Sequence, residues 1–525
     1  MSAPTPALDP TVPLGPTRLA DFGRTHLIGV GGAGMSAIAA LLAARGLDVS
    51  GSDARDGTAL VGLRAAGVTI WVGHDAAHVD GARTVVVSTA VRATNPELVR
   101  ARELGLRVLH RSQALAALMV DRRSIAVAGA HGKTTTSAMI AVALASAGLD
   151  PSFAIGGTVL FELPVLPEPP VLSAPPTPSE PPAATAPLGG AHDGSGDAFV
   201  AEADESDGSF LAYAPTIAVV TNVEPDHLDH YGTRAAFEEA FGQFAARIVD
   251  GGTLVACADD PGARRLVEGA RAPLAARGAL VLTYGENPGA DVVVSDYRSA
   301  DGAGSTFVLR TAHPALRGPD AGLGADGALE LRLTLAVPGA HNALDAAAAW
   351  TAARLVGVGP AAAVAGLAAF RGTGRRFEDR GSAAGVRVVD DYAHHPTEVA
   401  ALLRAARPVA RGGRVLVLFQ PHLFSRTRAF AADFARALDL ADAVVLTDIY
   451  AAREDPDPSV TSALITSQVP TPGKAELVPD RVAAALRVAE LARPGDLVLT
   501  VGAGDVTELA QVVLDALGSR AAPVR

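Results

Sequence analysis

Short runs of aliphatic residues alternate with longer stretches of helical periodicity along most of this 525-residue chain. Between about residues 25 and 110, five such runs predict strands, and the segments that separate them predict helices. The five runs are THLIGV, LDVSGSD, VTIWVG, RTVVVSTA and LRVLH. Strands that alternate with helices are typical of a mostly parallel sheet covered on both faces.

The same alternation recurs in two further units. One begins at SIAVAGAHGKTTTSAMI, continues through AFVAEADESD, TIAVVTNVEPDHLDHYG, GGTLVACADD and LVLTYG, and reaches the helix HNALDAAAAWTAARLVG. The other follows GTGRRFEDR and contains VRVVDDYAHH, RVLVLFQPH, ADAVVLTDIY and DLVLTVGAGD. We therefore predict three consecutive α/β domains, at residues 21–121, 122–370 and 371–525.

Three segments interrupt this pattern. Residues 1–20 are rich in Pro and Thr, and residues from about 161 to 196 are dense in Pro, Ala and Ser. Such compositions bury too little apolar surface to offset the entropy of ordering. We predict a disordered tail and a flexible surface insertion, and a mobile Gly-rich stretch near residues 301–327.

Composition restricts the class of protein. The net charge of −12 argues against a nucleic-acid partner, because such proteins neutralise phosphates with Lys and Arg. A single cysteine, Cys257, excludes an internal disulfide framework and fits a reducing compartment. The N-terminal residues show no secretory pattern, and no apolar stretch is long enough to span a membrane. We expect a cytoplasmic protein without membrane insertion.

A phosphate-binding loop is predicted where the central unit begins. An apolar strand ends at Gly129, and Gly132-Lys133-Thr134 opens a helix whose amides would bind an anion. Lys133 would reach the β- and γ-phosphates and Thr134 would bind Mg²⁺. The spacing departs from GxxxxGK[ST], since Val127 occupies the place of the first glycine. An ordinary Gly-Lys helix start is the alternative.

A second Gly-rich turn follows the first strand. Gly29, Gly31 and Gly34 fit G-x-G-x-x-G, and Asp53 lies about 20 residues further on, as in dinucleotide-binding folds. The pattern predicts a diphosphate at the start of the helix, from NAD, FAD or a UDP-sugar. Tight packing of helix on strand, with no ligand, is the alternative.

Two acidic clusters follow apolar runs of the central unit. AEADESD contributes Glu202, Asp204, Glu205 and Asp207, and TNVEPDHLDHYG contributes Glu224, Asp226, His227, Asp229 and His230. Ligands of parallel α/β sheets bind at the carboxyl ends of the strands. The carboxylates there could hold Mg²⁺, and His227 could bind a second metal or orient a carboxylate. Solvated loops or helix caps are the alternative for any single residue.

These motifs together resemble the Mur ligase family, and within it the alanine-adding branch. The matching strings are GVGGAGMS, AGAHGKTTT, EADESD, TNVEPDHLD, PGAHNALDA, GTGRRFE, DDYAHHPTE, FQPHLFSRTR and VGAGD. The resemblance implies a Rossmann-like UDP-sugar domain, a central P-loop-type ATPase and a Rossmann-like C-terminal domain. It also implies ATP-dependent ligation of L-alanine to UDP-N-acetylmuramate through an acyl phosphate, in peptidoglycan precursor synthesis, with ATP and Mg²⁺ as cofactors.

The resemblance assigns residues to four groups. The ATP site would comprise Gly129, Ala130, His131, Gly132, Lys133, Thr134, Thr135, His341, Asn342, Arg375 and Asp391. The UDP-sugar site would comprise Gly29, Gly31, Gly32, Ala33, Gly34, Met35, Ser52, Asp53 and Ser88. The muramyl and amino-acid site would comprise Tyr392, His394, His422 and Arg426. The metals would be bound by Thr134, Glu202 and His227, and the catalytic residues would be Lys133, His227, Arg375 and His394.

Three departures from the family pattern stand out. Ala130 replaces a threonine of many relatives, Phe241 lies where several sister ligases carry a modified lysine, and DIYAARED leaves the role of Glu454 open. The nearest alternative function is a sister ligase that adds a preformed murein peptide to UDP-N-acetylmuramate. More distant alternatives are an NAD-dependent dehydrogenase and a non-enzymatic nucleotide switch. We expect a monomer or homodimer.

Overall fold

A computed structural model describes residues 19–161, 189–300, 304–318, 323–324, 326–452 and 454–521. Within that part the chain groups into two compact units. The first comprises the described residues up to Ser295 together with those of Val308–Leu333 and Leu344–Arg371, and the second comprises the described residues of Asp296–Phe307, Thr334–Ala343 and Gly372–Arg525. Residues 1–18 of the predicted tail and residues 162–188 of the predicted insertion lie outside the described residues.

The first sheet is entirely parallel, with strand order β3-β2-β1-β4-β5. Its elements are β1 Thr25–Ile28, α1 Ala33–Ala44, β2 Val49–Asp53, α2 Thr58–Ala65, β3 Thr69–Val72, β4 Thr84–Val87, α3 Pro96–Glu103, β5 Arg107–His110 and α4 Arg111–Met119. All five predicted strands are confirmed. The strand order reverses between β1 and β4, and ligands of such sheets bind outside the carboxyl ends at that point.

The second sheet has ten strands in the order β16-β15-β14-β13-β12-β11-β6-β10-β7-β9. The elements of this part of the chain are β6 Arg123–Ala128, α5 Lys133–Ser146, β7 Ser152–Ala154, β8 Val159–Phe161, β9 Ala191–His192, β10 Ala198–Glu202, β11 Ile217–Val220, α6 Leu228–Tyr231, α7 Arg234–Ala246, β12 Thr253–Cys257, α8 Pro261–Ala275, β13 Leu280–Gly285, β14 Val292–Ser299, β15 Ser305–Thr311, α9 Pro314–Arg317, β16 Leu329–Leu335, α10 Ala340–Leu355 and α11 Pro360–Ala368. Strand β8 is not one of the ten strands of this sheet. Strand β6 lies between β10 and β11 and is parallel to both. The loops that follow these three strands therefore meet at one edge of the sheet.

Two expectations about irregular segments need correction. The end of the predicted 161–196 insertion belongs to the sheet, because β9 pairs antiparallel with β7 and the Ser195 amide donates to Asp150 at 2.8 Å. The stretch near 301–327 contains β15 and α9, so it is not uniformly mobile. The Gly and Asp residues of this stretch also hid the adjacent strand β16, in which buried and exposed positions alternate.

The third sheet has the order β18-β19-β23-β20-β21-β22. The elements are β17 Phe370–Thr373, β18 Glu378–Ala383, β19 Val386–Asp391, α12 Pro396–Val409, β20 Val415–Phe419, α13 Phe424–Leu438, β21 Ala443–Leu446, α14 Ala463–Thr466, β22 Ala475–Leu477, α15 Arg481–Leu491, β23 Leu497–Val501 and α16 Leu509–Ala521. Strand β18 is an antiparallel edge, and the other pairings are parallel. Among the helices in the described part of the chain, none is long and apolar enough to cross a membrane.

Candidate active site

The phosphate loop connects β6 to α5 and depends on two glycines. Gly129 has φ 140°, and a Cβ built there would lie 2.0 Å from Thr221 Oγ1. Gly132 has φ 83°, and a Cβ there would lie 2.7 Å from Asp345 Oδ1. Both positions combine a conformation that side chains rarely adopt with a close neighbour. The loop path is therefore available only to glycine.

Neighbouring elements hold the loop from both sides. Asn222, just after β11, accepts from the His131 amide at 3.1 Å and donates to the His131 carbonyl at 2.9 Å. The Thr136 hydroxyl in the first turns of α5 donates to Asp345 on α10 at 3.0 Å. Ala130 lacks the hydroxyl that a threonine would supply at this position of the loop. Its backbone lies next to His131, which Asn222 holds in place.

Lys133 is the charged group of the loop. Its ammonium donates to the Gly129 carbonyl at 2.6 Å and lies 2.8 Å from the fully buried Glu205. Burial lowers the pKa of Lys133, but attraction to Glu205 and Asp204 outweighs it, so that pKa is raised. The lysine therefore keeps its positive charge at the place where phosphate oxygens would bind.

Thr134 and Glu202 form a pair of oxygen donors beside the loop. The Thr134 hydroxyl donates to Glu202 Oε1 at 2.9 Å, and the Gly156 amide donates to Glu202 Oε2 at 2.7 Å. Glu202 is the last residue of β10, so its carboxylate lies at the ligand-binding edge of the sheet. Hydroxyl and carboxylate oxygens are ligands that Mg²⁺ accepts, so the two predicted ligands fit this metal.

His227 lies near Glu205, and not near Glu202, the carboxylate that pairs with Thr134. Its Nε2 is 3.6 Å from Glu205 and 3.7 Å from Asp226, and its backbone has φ 52°. Among the described residues, the buried Nδ1 of His227 has no hydrogen-bond partner. A buried ring nitrogen without a protein partner can bind a metal or hydrogen-bond a ligand. The position of His227 fits both predicted roles, which are binding a second metal and orienting a carboxylate.

The acidic motif after β10 serves two different surfaces. Glu202 and Glu205 contact the phosphate loop, whereas Asp204 and Asp207 contact the N-terminal domain. Arg111 Nη2 donates to Asp204 at 2.6 Å, and the Thr89 hydroxyl donates to Asp207 at 3.1 Å. Asp204 and Asp207 therefore already have partners in the N-terminal domain, whereas Glu202, the metal ligand predicted in this motif, lies beside the phosphate loop.

Arg111 is a residue that the sequence analysis missed. It is the first residue of α4, directly after the carboxyl end of β5. A basic residue at the end of a parallel strand was the available signal, and it was overlooked because no motif contains it.

The Gly-rich turn leads from β1 to α1. The Gly31 amide donates to Asp53 Oδ2 at 2.9 Å, and the Arg55 amide donates to Asp53 Oδ1 at 3.2 Å. Helix α1 has Gly32 as its N-cap and no side-chain cap. The amides of its first turn, which include Ala33, Gly34 and Met35, are free to bind an anion. Asp53 shapes this turn.

Ser52 and Ser88 occupy different environments. Ser52 is buried and donates to Glu97 at 2.7 Å, so its hydroxyl already has a protein partner. Ser88 follows β4 and is half-buried on the other side of the crevice. Glu97 also contacts His74 at 2.8 Å and His78 at 2.7 Å.

The environment of Glu97 fixes its charge. Burial raises its pKa, but the nearby His26 and the hydrogen bonds with Ser52 and His78 outweigh this and lower the pKa to about 2. Trp71 stacks on His78, with ring centroids 4.6 Å apart. We call Glu97 with its three histidines the Glu97 cluster.

The second compact unit holds its own predicted residues. Arg375 lies 3.1 Å from Asp390, donates to the Gly502 carbonyl at 2.6 Å, and lies 4.9 Å from the centre of the Tyr392 ring. Asp391 accepts from the Phe377 and Ala393 amides at 2.8 Å each. Burial raises the pKa of Asp391 to about 6. Its carboxylate has a structural role besides any contact with ribose.

The predicted amino-acid group is a real cluster. The rings of His394 and His422 lie 5.8 Å apart, and Arg426 Nη1 lies 3.5 Å from His422 Nδ1. Tyr392 lies 5.3 Å from His394. The four residues predicted for this site are thus brought together in one unit.

Three further residues of the second compact unit have structural roles. His395 caps α12 by accepting from the Thr397 amide at 3.4 Å. Glu454 accepts from the Phe424 amide at 2.6 Å at the start of α13. Glu454, whose role the sequence left open, therefore has a structural role at the start of this helix. Asn342 donates to the Pro338 carbonyl at 2.6 Å.

Comparison with known protein families gives matches to three consecutive parts of the chain. The Mur ligase family, catalytic domain, matches residues 24–123, and the Mur ligase middle domain matches residues 127–353. The Mur ligase, glutamate ligase domain, matches residues 375–504. The first and third matches contain the first and third sheets, and the middle match contains the second sheet except for most of β6.

Individual relatives are similar over almost their whole length. A UDP-N-acetylmuramate--L-alanine ligase of Kineococcus radiotolerans is 56% identical over 506 residues, covering 96% of this chain and 98% of its own. One of Renibacterium salmoninarum is 52% identical, with the same coverage. The crystal structure of a UDP-N-acetylmuramate-alanine ligase from Thermotoga maritima matches with 27% identity and a TM-score of 0.71, covering 95% of this chain and 99% of its own. A murein peptide ligase from Psychrobacter arcticus matches with 26% identity and a TM-score of 0.65, covering 95% and 100%.

Proposed function

This chain belongs to the Mur ligase family, and we propose that it joins L-alanine to the carboxylate of UDP-N-acetylmuramate. ATP is converted to ADP and phosphate, and the product is a precursor of peptidoglycan. The observation that carries the proposal is the 56% identity to an alanine ligase over 96% of the chain. The geometry of Lys133, Thr134 and Glu202 supports the use of ATP.

The reaction needs ATP because an unactivated carboxylate does not react with an amine. Transfer of the γ-phosphoryl group to the carboxylate forms an acyl phosphate and releases ADP. The neutral amine of alanine then attacks the carbonyl carbon, and the tetrahedral intermediate expels inorganic phosphate. Such catalysis rests on positioning and on neutralising charge around the transferred group.

The central domain would supply the positive charge for phosphoryl transfer. Lys133 is held ready by Glu205 and Gly129, and it would exchange these contacts for phosphate oxygens. Thr134 and Glu202 would hold one Mg²⁺, which would offset charge on the phosphates. We propose His227 for a second metal or for orienting Glu205.

The N-terminal domain would hold the UDP-sugar at the reversal of strand order. The uncapped amides at the start of α1 would bind its diphosphate. Gly29 and Gly31 give the backbone its path, and Asp53 fixes that path through the Gly31 amide. Ser88, which follows the carboxyl end of β4, is proposed as a further ligand of the UDP-sugar.

The residues of the second compact unit keep the roles predicted for them. Arg375 and Asp391 are proposed for nucleotide phosphates and ribose, with His341 and Asn342 near adenine. The cluster around His394 is proposed for the muramyl carboxylate and the incoming amino acid. Removal of the amine proton by His394 is part of the proposal.

The test compares amino acceptors. Purified protein with Mg²⁺-ATP and UDP-N-acetylmuramate is given either L-alanine or the murein tripeptide, and ADP, phosphate and amide product are measured. We expect the three products in equal amounts with L-alanine and little turnover with the tripeptide. Preference for the tripeptide would favour the murein peptide ligase, whose solved relative has a TM-score of 0.65.

Two further points remain predictions with simple measurements. A dehydrogenase would bind NADH at the Gly-rich turn, and we expect no such binding in a fluorescence titration.

We expect a monomer or homodimer located in the cytoplasm. Light scattering would measure the oligomeric state, and cell fractionation would measure the location.

A further inference from the structure

We infer that Arg111 is a further substrate-binding residue, which holds the diphosphate of the sugar nucleotide against the first turn of α1. Its salt bridge to Asp204 would at the same time connect that diphosphate to the phosphate loop. The identity of the nucleotide rests on the proposed function, whereas the diphosphate contact rests on the geometry around Arg111.

The first observation is the position of the guanidinium. Arg111 Nη1 lies 3.0 Å from the point where a Cβ on Gly34 would lie. Gly34 is in the first turn of α1, whose amides have no side-chain cap. A Cβ at Gly34 would make a tight contact with the end of the Arg111 side chain, so the guanidinium lies beside the amides that attract an anion.

The second observation is an unused donor. A guanidinium has five N–H groups in a planar fork. Of these, Nη2 donates to Asp204 at 2.6 Å and lies 3.9 Å from Asp207. Within the described part of the chain, Nη1 has no protein acceptor. A phosphate oxygen over the first turn of α1 would supply one, as a charge-assisted hydrogen bond.

The third observation is that the site is held from two domains. Arg111 belongs to the N-terminal domain and Asp204 to the central domain, and both lie in one compact unit. The neighbouring Asp207 accepts from Thr89 at 3.1 Å and lies 3.7 Å from His110. The charged end of Arg111 is therefore fixed by partners that are themselves fixed.

The connection to ATP runs through Asp204. Burial raises the pKa of Asp204, but attraction to Arg111 and Lys133 outweighs it and lowers that pKa below its usual range. One carboxylate thus interacts with a cation at each phosphate-binding site. A diphosphate on Arg111 would weaken its hold on Asp204 and change the field at Lys133. Binding of one nucleotide should then alter the affinity for the other, and by the same factor in both directions.

The test uses three variants and two simple probes. Affinities for UDP and for uridine, which lacks the diphosphate, are measured by calorimetry on Arg111→Gln, Arg111→Lys and Arg45→Gln. Arg45 is a matched control, because it also joins the two domains through a salt bridge, to Asp193 at 2.9 Å. Folding of each variant is checked by its thermal midpoint and by its circular dichroism spectrum.

We expect Arg111→Gln to weaken UDP binding on the order of 10- to 100-fold, the range for a hydrogen bond to a charged group. Uridine binding should change less than twofold, and Arg111→Lys should recover part of the loss because it keeps the charge. In the ligase assay, KM for the sugar nucleotide should rise more than kcat falls. Arg45→Gln should leave UDP affinity unchanged.

Three results would overturn the inference. The first is an equal loss of UDP and uridine affinity in Arg111→Gln, and the second is UDP affinity unchanged in both Arg111 variants. An Arg45→Gln variant that loses UDP affinity to the same extent would also reduce Arg111 to a structural residue. A parent protein that binds UDP through Arg111 but makes no product with L-alanine would refute the proposed function and leave this inference standing.

Discussion

Lys133 shows how one residue can be both bound by the protein and available to a substrate. Its contacts to Gly129 and Glu205 keep it charged in a largely buried place. Phosphate oxygens carry more charge than a carbonyl, so the lysine can exchange one partner for the other without losing its protonation. The sequence predicted this residue from the Gly-Lys-Thr order, but the pairing with Glu205 needed the parallel neighbour β10.

The first prediction concerns Lys133→Ala. We expect turnover to fall on the order of 10²- to 10³-fold, as when one preorganised charge is removed from a transition-state site. UDP-sugar affinity should change far less than turnover, because that site is on another domain and is connected to Lys133 only through Asp204. The measurements are steady-state kinetics and calorimetry. Equal loss of UDP-sugar affinity would contradict the division of labour between the domains. Lys133→Ala leaves the buried Glu205 carboxylate without its ion-pair partner and should lower thermal stability. The double variant Lys133→Ala/Glu205→Gln removes that carboxylate charge, so it should recover thermal stability but not turnover.

The second prediction concerns Glu202→Gln. The amide keeps the shape but loses the charge of the proposed Mg²⁺ ligand, so the Mg²⁺ concentration for half-maximal activity should rise about tenfold or more. Asp207→Asn is the matched control in the same motif, because Asp207 accepts from Thr89 and not from the loop. If both variants shifted the Mg²⁺ requirement equally, the division of the motif into two surfaces would be wrong.

At the scale of elements, the parallel strands were the most predictable part of the fold. Central strands such as β6 and β11 are buried on both faces and so appear as unbroken apolar runs. The short strands β9 and β22 were not predicted, because two or three residues carry no readable period. The edge strand β18 was not predicted either, because its sequence EDRGSA is polar and largely exposed. The alternation of β15 and β16 was visible in principle but was hidden by the glycines around it.

The third prediction tests the path of the phosphate loop. Gly129→Ala places a Cβ 2.0 Å from Thr221 Oγ1 at φ 140°, so the loop must move and activity should be lost. Gly148→Ala is the control, because Gly148 has φ 78° but nothing within 4 Å of the added Cβ. It should cost roughly 1–2 kcal/mol of stability from backbone strain and leave turnover near that of the parent. Activity retained in Gly129→Ala would contradict the loop geometry.

The fourth prediction concerns the Glu97 cluster, which connects β1, β3 and α3. The pKa of Glu97 is lowered to about 2 in the folded protein, against about 4.3 for an unperturbed glutamate. Its stabilising contribution is therefore complete above pH 4.3 and is lost as the pH falls toward 2. The thermal midpoint of Glu97→Gln should lie below that of the parent at pH 6, and the two should converge in acid. A constant difference down to pH 2 would refute this.

At the scale of the whole molecule, three sheets were predictable because each repeats the same alternation of strand and helix. The assignment to an alanine-adding ligase came from nine short strings taken together, since the phosphate loop alone indicates only ATP. What could not be predicted is the cooperation of residues distant in sequence, such as Arg111 with Asp204. Their contact depends on how two domains of one compact unit pack, and local patterns carry no record of that.

The central claim is that ATP at Gly129–Thr136 activates the muramyl carboxylate as an acyl phosphate. The most direct measurement uses UDP-N-acetylmuramate labelled with ¹⁸O in that carboxylate, with Mg²⁺-ATP and L-alanine, and mass analysis of the phosphate released. Our account predicts one ¹⁸O atom in each phosphate, with ADP and amide formed in equal amounts. Phosphate without the label, or release of AMP in place of ADP, would contradict it.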